Sequence, residues 1–220
     1  MSVPTSLGRR LAAEGVGTGF LLAAVVGSGI MGDRLAGGSV AIALLANTIA
    51  TGAALIALIL TFGPISGAQF NPVVTLAAAS QGAMPWAEVP GYVMAQFAGA
   101  FAGVAAAHAM FSEPIYSVST HVRSGGSQAF SEIVATCGLI AVIASCSRLR
   151  PNGVPFAVGA YITSAYWFTA STSFANPAVT LARAATNTFS GIRPLDVPVF
   201  LGAQLLGAAI AVVLFRWLLR

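Results

Sequence analysis

Two short motifs carry the chemistry of this sequence, Asn71-Pro72-Val73 and Asn176-Pro177-Ala178. Asn is a preferred helix N-cap and Pro is favoured at the first helical position. Each motif therefore predicts a helix start, with runs from Pro72 to near Gln81 and from Pro177 to near Thr186. A run of about ten residues spans roughly 15 Å, half of a hydrocarbon core of about 30 Å. Two such half-helices entering from opposite faces meet tip to tip at mid-depth. The segments before them, Gly63–Phe70 and Ser171–Ala175, are irregular, and irregular backbone at that depth survives only where it lines water or is buried in protein. Their carbonyls are expected to form a ladder of acceptors. Each Asn oxygen caps its own helix, leaving the amide NH2 to point into the lumen. Two helix N-termini, each worth roughly half a positive charge, plus two amide donors repel cations and proton chains and receive neutral solutes with lone pairs. The expected constriction is Asn71, Pro72, Val73, Asn176, Pro177 and Ala178.

The rest of the chain must hold these tips in a membrane. Of 220 residues only 7% are charged, 57% are hydrophobic, and the mean hydropathy is +0.85. A soluble domain carries about 25% charged residues, so a soluble enzyme or a disordered chain is excluded. The net charge of +4 comes from scattered arginines, so nucleic acid is not an expected partner. Apolar segments at 9–32, 38–62, 86–111, 128–147, 154–170 and 196–218 predict six spans, separated by turn chemistry such as Ser124-Gly125-Gly126-Ser127 and Arg150-Pro151-Asn152-Gly153. The first apolar segment is too long for a cleavable signal peptide.

Three motif pairs recur in the same order, at offsets of 118, 105 and 108 residues: Glu14 with Glu132, Asn71 with Asn176, and Gln96 with Gln204. The chain is thus expected to be one channel domain of two three-helix copies, 1–115 and 125–220. Because three is odd, the copies are inverted. Arg9, Arg10, Arg148, Arg150, Arg216 and Arg220 fall on one side, against Arg34, Arg123 and Arg193 on the other. This bias places both termini in the cytoplasm, with the chain a multi-pass protein of the cell inner membrane surrounded by lipid.

These features resemble the aquaporin, or major intrinsic protein, family over essentially the whole chain. Besides the Asn-Pro boxes, Ala13-Glu14 with Gly17-Thr18, Ser66-Gly67-Ala68, Ala95-Gln96 with Gly99, and Pro155 carry the likeness. The resemblance implies an all-α membrane protein: a right-handed bundle of six helices with two half-helices, assembled as a homotetramer with a pore in each protomer. It implies that Glu14 and Glu132 brace the backbone carbonyls of the pore loops; Gln96 and Gln204 read as similar braces or as core hydrogen bonders.

The sequence also departs from the family pattern. Val73 replaces the usual Ala and adds two methyls beside the constriction. Val179 stands where the family places the arginine of its selectivity filter. The other filter positions map to Thr51, to Ser173, and to a fifth-helix residue. That residue is Tyr166 counting from Pro155 or Ser164 counting back from Asn176, with Tyr166 preferred. Pro64 and Gln69 stand where the family often has His. A filter without arginine is wider and lowers the penalty for larger neutral or even anionic solutes, with glycerol-like polyols, urea and neutral metalloids such as arsenous acid as the expected cargo. Bacterial members with Val at the arginine position are associated with arsenical efflux. Arg183, four residues past Val179, reads as headgroup-facing, with a vestibule role as the other reading.

Other candidates read as structural. Gly15/Gly19 and Gly99/Gly103 are spaced for helix crossing. His108 and His121 have no partners at metal-ligand spacing. Cys137 and Cys146 are too far apart on one helix for a disulfide and read as buried packing residues. No nucleophile–base constellation is present, so no enzyme activity and no cofactor are expected. The competing reading is an ion-coupled secondary transporter, in which helix ends also meet at mid-depth. It needs carboxylates for a coupling ion, and only two buried acids are expected, Glu14 and Glu132, both explained as braces.

Overall fold

The computed structural model describes residues 5–219; Arg220, one of the arginines in the topology count, lies outside them. Six long helices run in chain order as α1 (Leu7–Leu35), α2 (Val40–Ser66), α4 (Val89–Phe111), α5 (Gly126–Leu149), α6 (Val154–Phe168) and α8 (Val197–Leu218). Two short ones, α3 (Pro72–Ser80) and α7 (Pro177–Arg183), follow α2 and α6. Among the described residues, five helices are long and apolar enough to cross a membrane. The exception is α6, with 15 residues. It covers about 22 Å by helical rise and is extended by the tight turn Pro151–Gly153. The fold class is the expected one, all-α with six long helices and two half-helices.

Three boundaries differ from the sequence expectation. Helix α2 runs through Gly63 and Pro64 to Ser66, so only Gly67–Asn71 is irregular. Pro64 sits in the last turn, and Gly67, at φ 90°, closes the helix by donating its N–H to the Gly63 carbonyl at 3.0 Å. Helix α7 has 7 residues and stops at Arg183 rather than near Thr186. There the carbonyls of Ala184 and Ala185 accept the N–H groups of Ser119 and Ser117, from the connection between α4 and α5. Helix α6 ends at Phe168, where Thr169 turns extended.

Helix α1 packs on α2 and α4, α5 packs on α6 and α8, and α2 meets α6 between them. Small residues set the closest approaches. A Cβ on Gly99 of α4 would lie 2.0 Å from the Gly15 carbonyl oxygen of α1, and one on Gly103 would lie 2.2 Å from that of Gly19. On the other side, a Cβ on Gly207 of α8 would come within 2.5 Å of the Ile133 carbonyl of α5. Backbone on both sides leaves nothing free to yield. Gly99→Ala is therefore expected to push α1 and α4 apart and to destabilise the protein by about 1–3 kcal/mol. Thermal unfolding in detergent measures this; an unchanged midpoint contradicts it.

The remaining candidates are settled by their surroundings. His108 is buried, with Nδ1 2.5 Å from the Pro114 carbonyl and Nε2 2.6 Å from Thr186 Oγ1. It ties the α4–α5 connection to the residues after α7. The two cysteines are free and half-buried, not fully buried as expected.

Candidate functional site

The site begins with the two caps. Asn71 Oδ1 accepts the Val73 N–H at 3.1 Å, and Asn176 Oδ1 accepts those of Ala178 and Val179 at 2.9 and 3.2 Å. The amide nitrogens do not both stay free, contrary to the sequence expectation. Asn71 Nδ2 donates to the Ala175 carbonyl at 2.7 Å, and Asn176 Nδ2 donates to the Phe70 carbonyl at 2.8 Å. Each half-helix is thereby tied to the loop leading into the other. An amide has two N–H donors, so one on each Asn is left over.

The loops reach this geometry through unusual backbone. Ala68, Phe70, Thr172, Ser173 and Ala175 all have φ between 47° and 60°, a region that costs non-glycine residues of order 1–3 kcal/mol each unless the surroundings impose it. Two buried carboxylates impose it. Glu14 accepts the N–H groups of Gln69 at 2.9 Å and Phe70 at 2.7 Å, and the Ser66 hydroxyl at 2.7 Å. Glu132 accepts those of Phe174 at 2.9 Å and Ala175 at 2.8 Å. The acids thus hold the loop N–H groups rather than the carbonyls, since a carboxylate can only accept. Holding the N–H groups outward leaves the carbonyls of Gly67, Ala68, Gln69, Ser173 and Phe174 without a hydrogen bond among the described residues.

The glutamines complete each brace. Gln96 Nε2 donates to Glu14 at 2.8 Å and to Thr75 Oγ1 at 2.9 Å. Gln204 Nε2 donates to Glu132 at 2.6 Å and to Thr180 Oγ1 at 2.8 Å. Both acids and both glutamines are wholly buried.

A cavity of about 360 Å3 runs past the crossed tips. Asn71, Asn176, Thr51, Tyr166, Ser173 and Val179 all line it. Tyr166 donates to Thr51 Oγ1 at 3.3 Å, whereas Ser164 is exposed and bonded within its own helix to the Tyr161 carbonyl. Pro72, Val73, Pro177 and Ala178 are buried but do not line the cavity. Val73 is packed in the core at 0% exposure, so its extra methyls do not narrow the passage. The lining combines residues of both pore loops and the two Asn with apolar side chains of the long helices, Leu21, Leu55, Leu139, Val158 and Ile162. No Asp or Glu is among the lining residues.

The cavity wall also includes residues outside the expected constriction and filter. At the end nearer the termini, Gln69 faces Met84, and Arg10 pairs with Glu88 at 2.6 Å. At the far end stands Arg183, which is not headgroup-facing: it is 2% exposed and lines the cavity. Its guanidinium lies over the Phe174 ring, 3.5 Å from the centroid, and Nε donates to the Ser190 carbonyl. Arg123, from the α4–α5 connection, approaches the same ring at 5.0 Å and donates to the carbonyls of Gly191 and Ser171. Burial pulls the Arg123 guanidinium down to about 10, which still leaves it charged at neutral pH. Burial, followed by the charges of Arg123 and Arg183, pulls His121 below the usual imidazole range. The spacing from Val179 placed Arg183 on the right helix face. Nothing in the local sequence signals that Phe174 folds back to cover it.

Comparison with known proteins agrees with this architecture. The family model described as Major intrinsic protein matches residues 2–162. Aquaglyceroporin AqpS of Rhizobium meliloti (strain 1021) is 57% identical over 214 residues, covering 97% of this chain and 91% of the relative. Aquaporin NIP6-1 of Arabidopsis thaliana is 35% identical over 213 residues, covering 93% of this chain and 67% of the relative. The X-ray structure of the aquaglyceroporin from Plasmodium falciparum superposes with a TM-score of 0.71, covering 96% of this chain and 94% of that one. At 21% identity it speaks for the fold alone.

Proposed function

The chain belongs to the major intrinsic protein family, and on that premise we propose that it is a passive pore for small uncharged polar solutes: water, glycerol-like polyols, and neutral metalloids such as arsenous acid. It is a multi-pass membrane channel and not an enzyme. In the proposed pore Asn71 and Asn176 form the central constriction, backed by Pro72, Val73, Pro177 and Ala178. Thr51, Tyr166, Ser173 and Val179 form the selectivity filter. Glu14, Glu132, Gln96 and Gln204 are the braces. The repeats are 1–115 and 125–220.

The observation that carries this reading is the cavity's mixed lining at the crossed tips, with loop residues and both Asn beside apolar side chains. A solute with both carbons and hydroxyls exchanges its water for loop carbonyls and Asn N–H donors while its carbons meet the apolar side chains. An ion finds no full replacement for its hydration shell. A cation also meets two helix N-termini, which disfavour positive charge, and a proton chain is broken where the Asn donors fix water orientation. The ring of Thr51, Tyr166, Ser173 and Val179 has no arginine of its own, which supports passage of solutes wider than water. The Ser173 hydroxyl, buried and without a partner among the described residues, supplies a hydrogen-bond group there. The transporter reading lacks its coupling site, because both intramembrane acids are consumed by peptide N–H groups.

Proposed surroundings follow from the surface. Ile42, Leu45 and Ile49 expose a stripe along α2 that requires lipid or a second copy of the chain. We place it in a homotetramer in the cell inner membrane, with both termini cytoplasmic. Stopped-flow light scattering of proteoliposomes tests the solute range: water, glycerol, urea and arsenous acid are all expected to equilibrate faster than in empty vesicles. A channel that passes water but excludes glycerol and arsenous acid contradicts the reading.

A further inference from the structure

The guanidinium pair around Phe174 is not explained by holding the fold together. Two arginines stand against one ring, at 3.5 and 5.0 Å. The ion pairs among the described residues are Arg10–Glu88, Arg34–Glu113 and Arg193–Asp196, so neither of these two has a carboxylate partner. Asp196, the acid bonded to the Arg123 backbone N–H, is spent on Arg193. Glu132 is spent on peptide N–H groups and Gln204. Arg123 gives Nε and NH1 to carbonyls and to Thr172. Arg183 gives only Nε, to Ser190, and its NH1 is buried with no partner among the described residues. A buried cation with an unmade hydrogen bond is costly unless something supplies charge and acceptor together.

Resting on the channel reading above, we propose that Arg183, with Arg123 behind it, forms a binding site for one small monoanionic oxyanion at the mouth far from the termini. The site lies one helical turn beyond Val179 on the same face of α7, about 6 Å along the axis. Water or a hydroxyl at the guanidinium edge that lines the cavity satisfies a donor but brings no charge. A planar or tetrahedral oxyanion satisfies both, because two oxygens can accept from the fork of N–H groups. Phe174 holds the guanidinium from the other side, so the donor stays aimed with little loss of side-chain freedom. Cations are repelled at this mouth even though Val179 carries no charge.

Nitrate is the probe, compared with chloride at equal ionic strength, on the full-length protein in detergent and in proteoliposomes. Nitrate is expected to raise the unfolding temperature and to slow glycerol exit, each vesicle set being scaled to its own nitrate-free flux. In Arg183→Met, which keeps an apolar chain over Phe174, the apparent nitrate affinity is expected to fall about tenfold or more, the loss of a hydrogen bond to a charged group. Arg183→Lys keeps the charge and should retain part of the effect, which a merely structural role does not predict. If Arg183→Met does not yield folded protein, Arg123→Met replaces it, and nitrate affinity is expected to fall about threefold or more as the second charge is removed. A wild-type protein indifferent to nitrate, or nitrate dependence equal in the wild type and the neutral variant, overturns the site. A wild-type protein stabilised by nitrate but passing no glycerol keeps the site and contradicts the channel reading instead.

Discussion

Replacing Glu132 by alanine is expected to abolish solute flux and to cost about 3–5 kcal/mol of stability, the range for removing one partner from a buried charged network. The carboxylate is 0% exposed and accepts from Phe174, Ala175 and Gln204 at 2.9, 2.8 and 2.6 Å. Its loss leaves two peptide N–H groups buried and unpaired, and takes one of the two acceptors from the Gln204 amide, which keeps Thr180. The loop thereby loses the two hydrogen bonds that hold Phe174 and Ala175 to the carboxylate, next to Ser173 and Ala175 at φ 50° and 47°. Once it relaxes, the Ala175 carbonyl leaves Asn71 and the crossed tie between half-helices opens. Glu132→Gln should fail nearly as badly, since its NH2 would face a peptide donor. Glu113→Gln is the control. That acid meets Arg34 at the surface, at 2.8 Å, and exposed pairs are worth about 0–1 kcal/mol. Thermal unfolding and glycerol flux, measured side by side, separate the two acids; equal effects contradict the brace.

The second large effect is expected from Val179→Arg. Val179 lines the same cavity as the Tyr166–Thr51 pair, and in the proposed filter a guanidinium there fills the width that a valine leaves open. Glycerol flux is expected to fall about tenfold to a hundredfold, equivalent to about 1.4–2.7 kcal/mol on the barrier. Water flux is expected to fall less than about threefold, because one water needs only a single file. The new charge sits four residues from the buried Arg183, so thermal unfolding of the variant is measured before its flux is read. Stopped-flow measurement of both solutes in the same vesicles decides it. A variant with an unchanged ratio of glycerol to water flux removes Val179 from the filter.

Much of this was legible in the residues themselves. Asn followed by Pro is a local signal with one structural meaning, and both half-helices begin at the predicted residues. Six apolar segments became six long helices because hydropathy and length are strong constraints in lipid. Glu14 with Glu132, and Gln96 with Gln204, were legible as equivalents from their matching places in the two halves; that each glutamine donates to the glutamate of its own half is seen only in the structure. What escaped were properties set by distant parts of the chain. The Asn amides are half spent on the opposite loop, 104 and 106 residues away. Val73 packs inward because the side of α3 away from the cavity meets the core. Arg183 was read as reaching lipid headgroups, since arginine at a helix end in a membrane protein usually does. Phe174 and Ser190 instead enclose it.

The decisive experiment is glycerol equilibration across proteoliposomes prepared without any ion gradient, using the wild type beside Asn71→Ala and Asn176→Ala. Crossed half-helices acting as an open conduit predict that glycerol inside rises to the outside concentration and stops there, that imposed proton or sodium gradients change nothing, and that both variants lose most of the flux. Accumulation beyond equilibrium driven by a gradient, or flux in the variants equal to the wild type, would mean that solute does not pass between the tips as described.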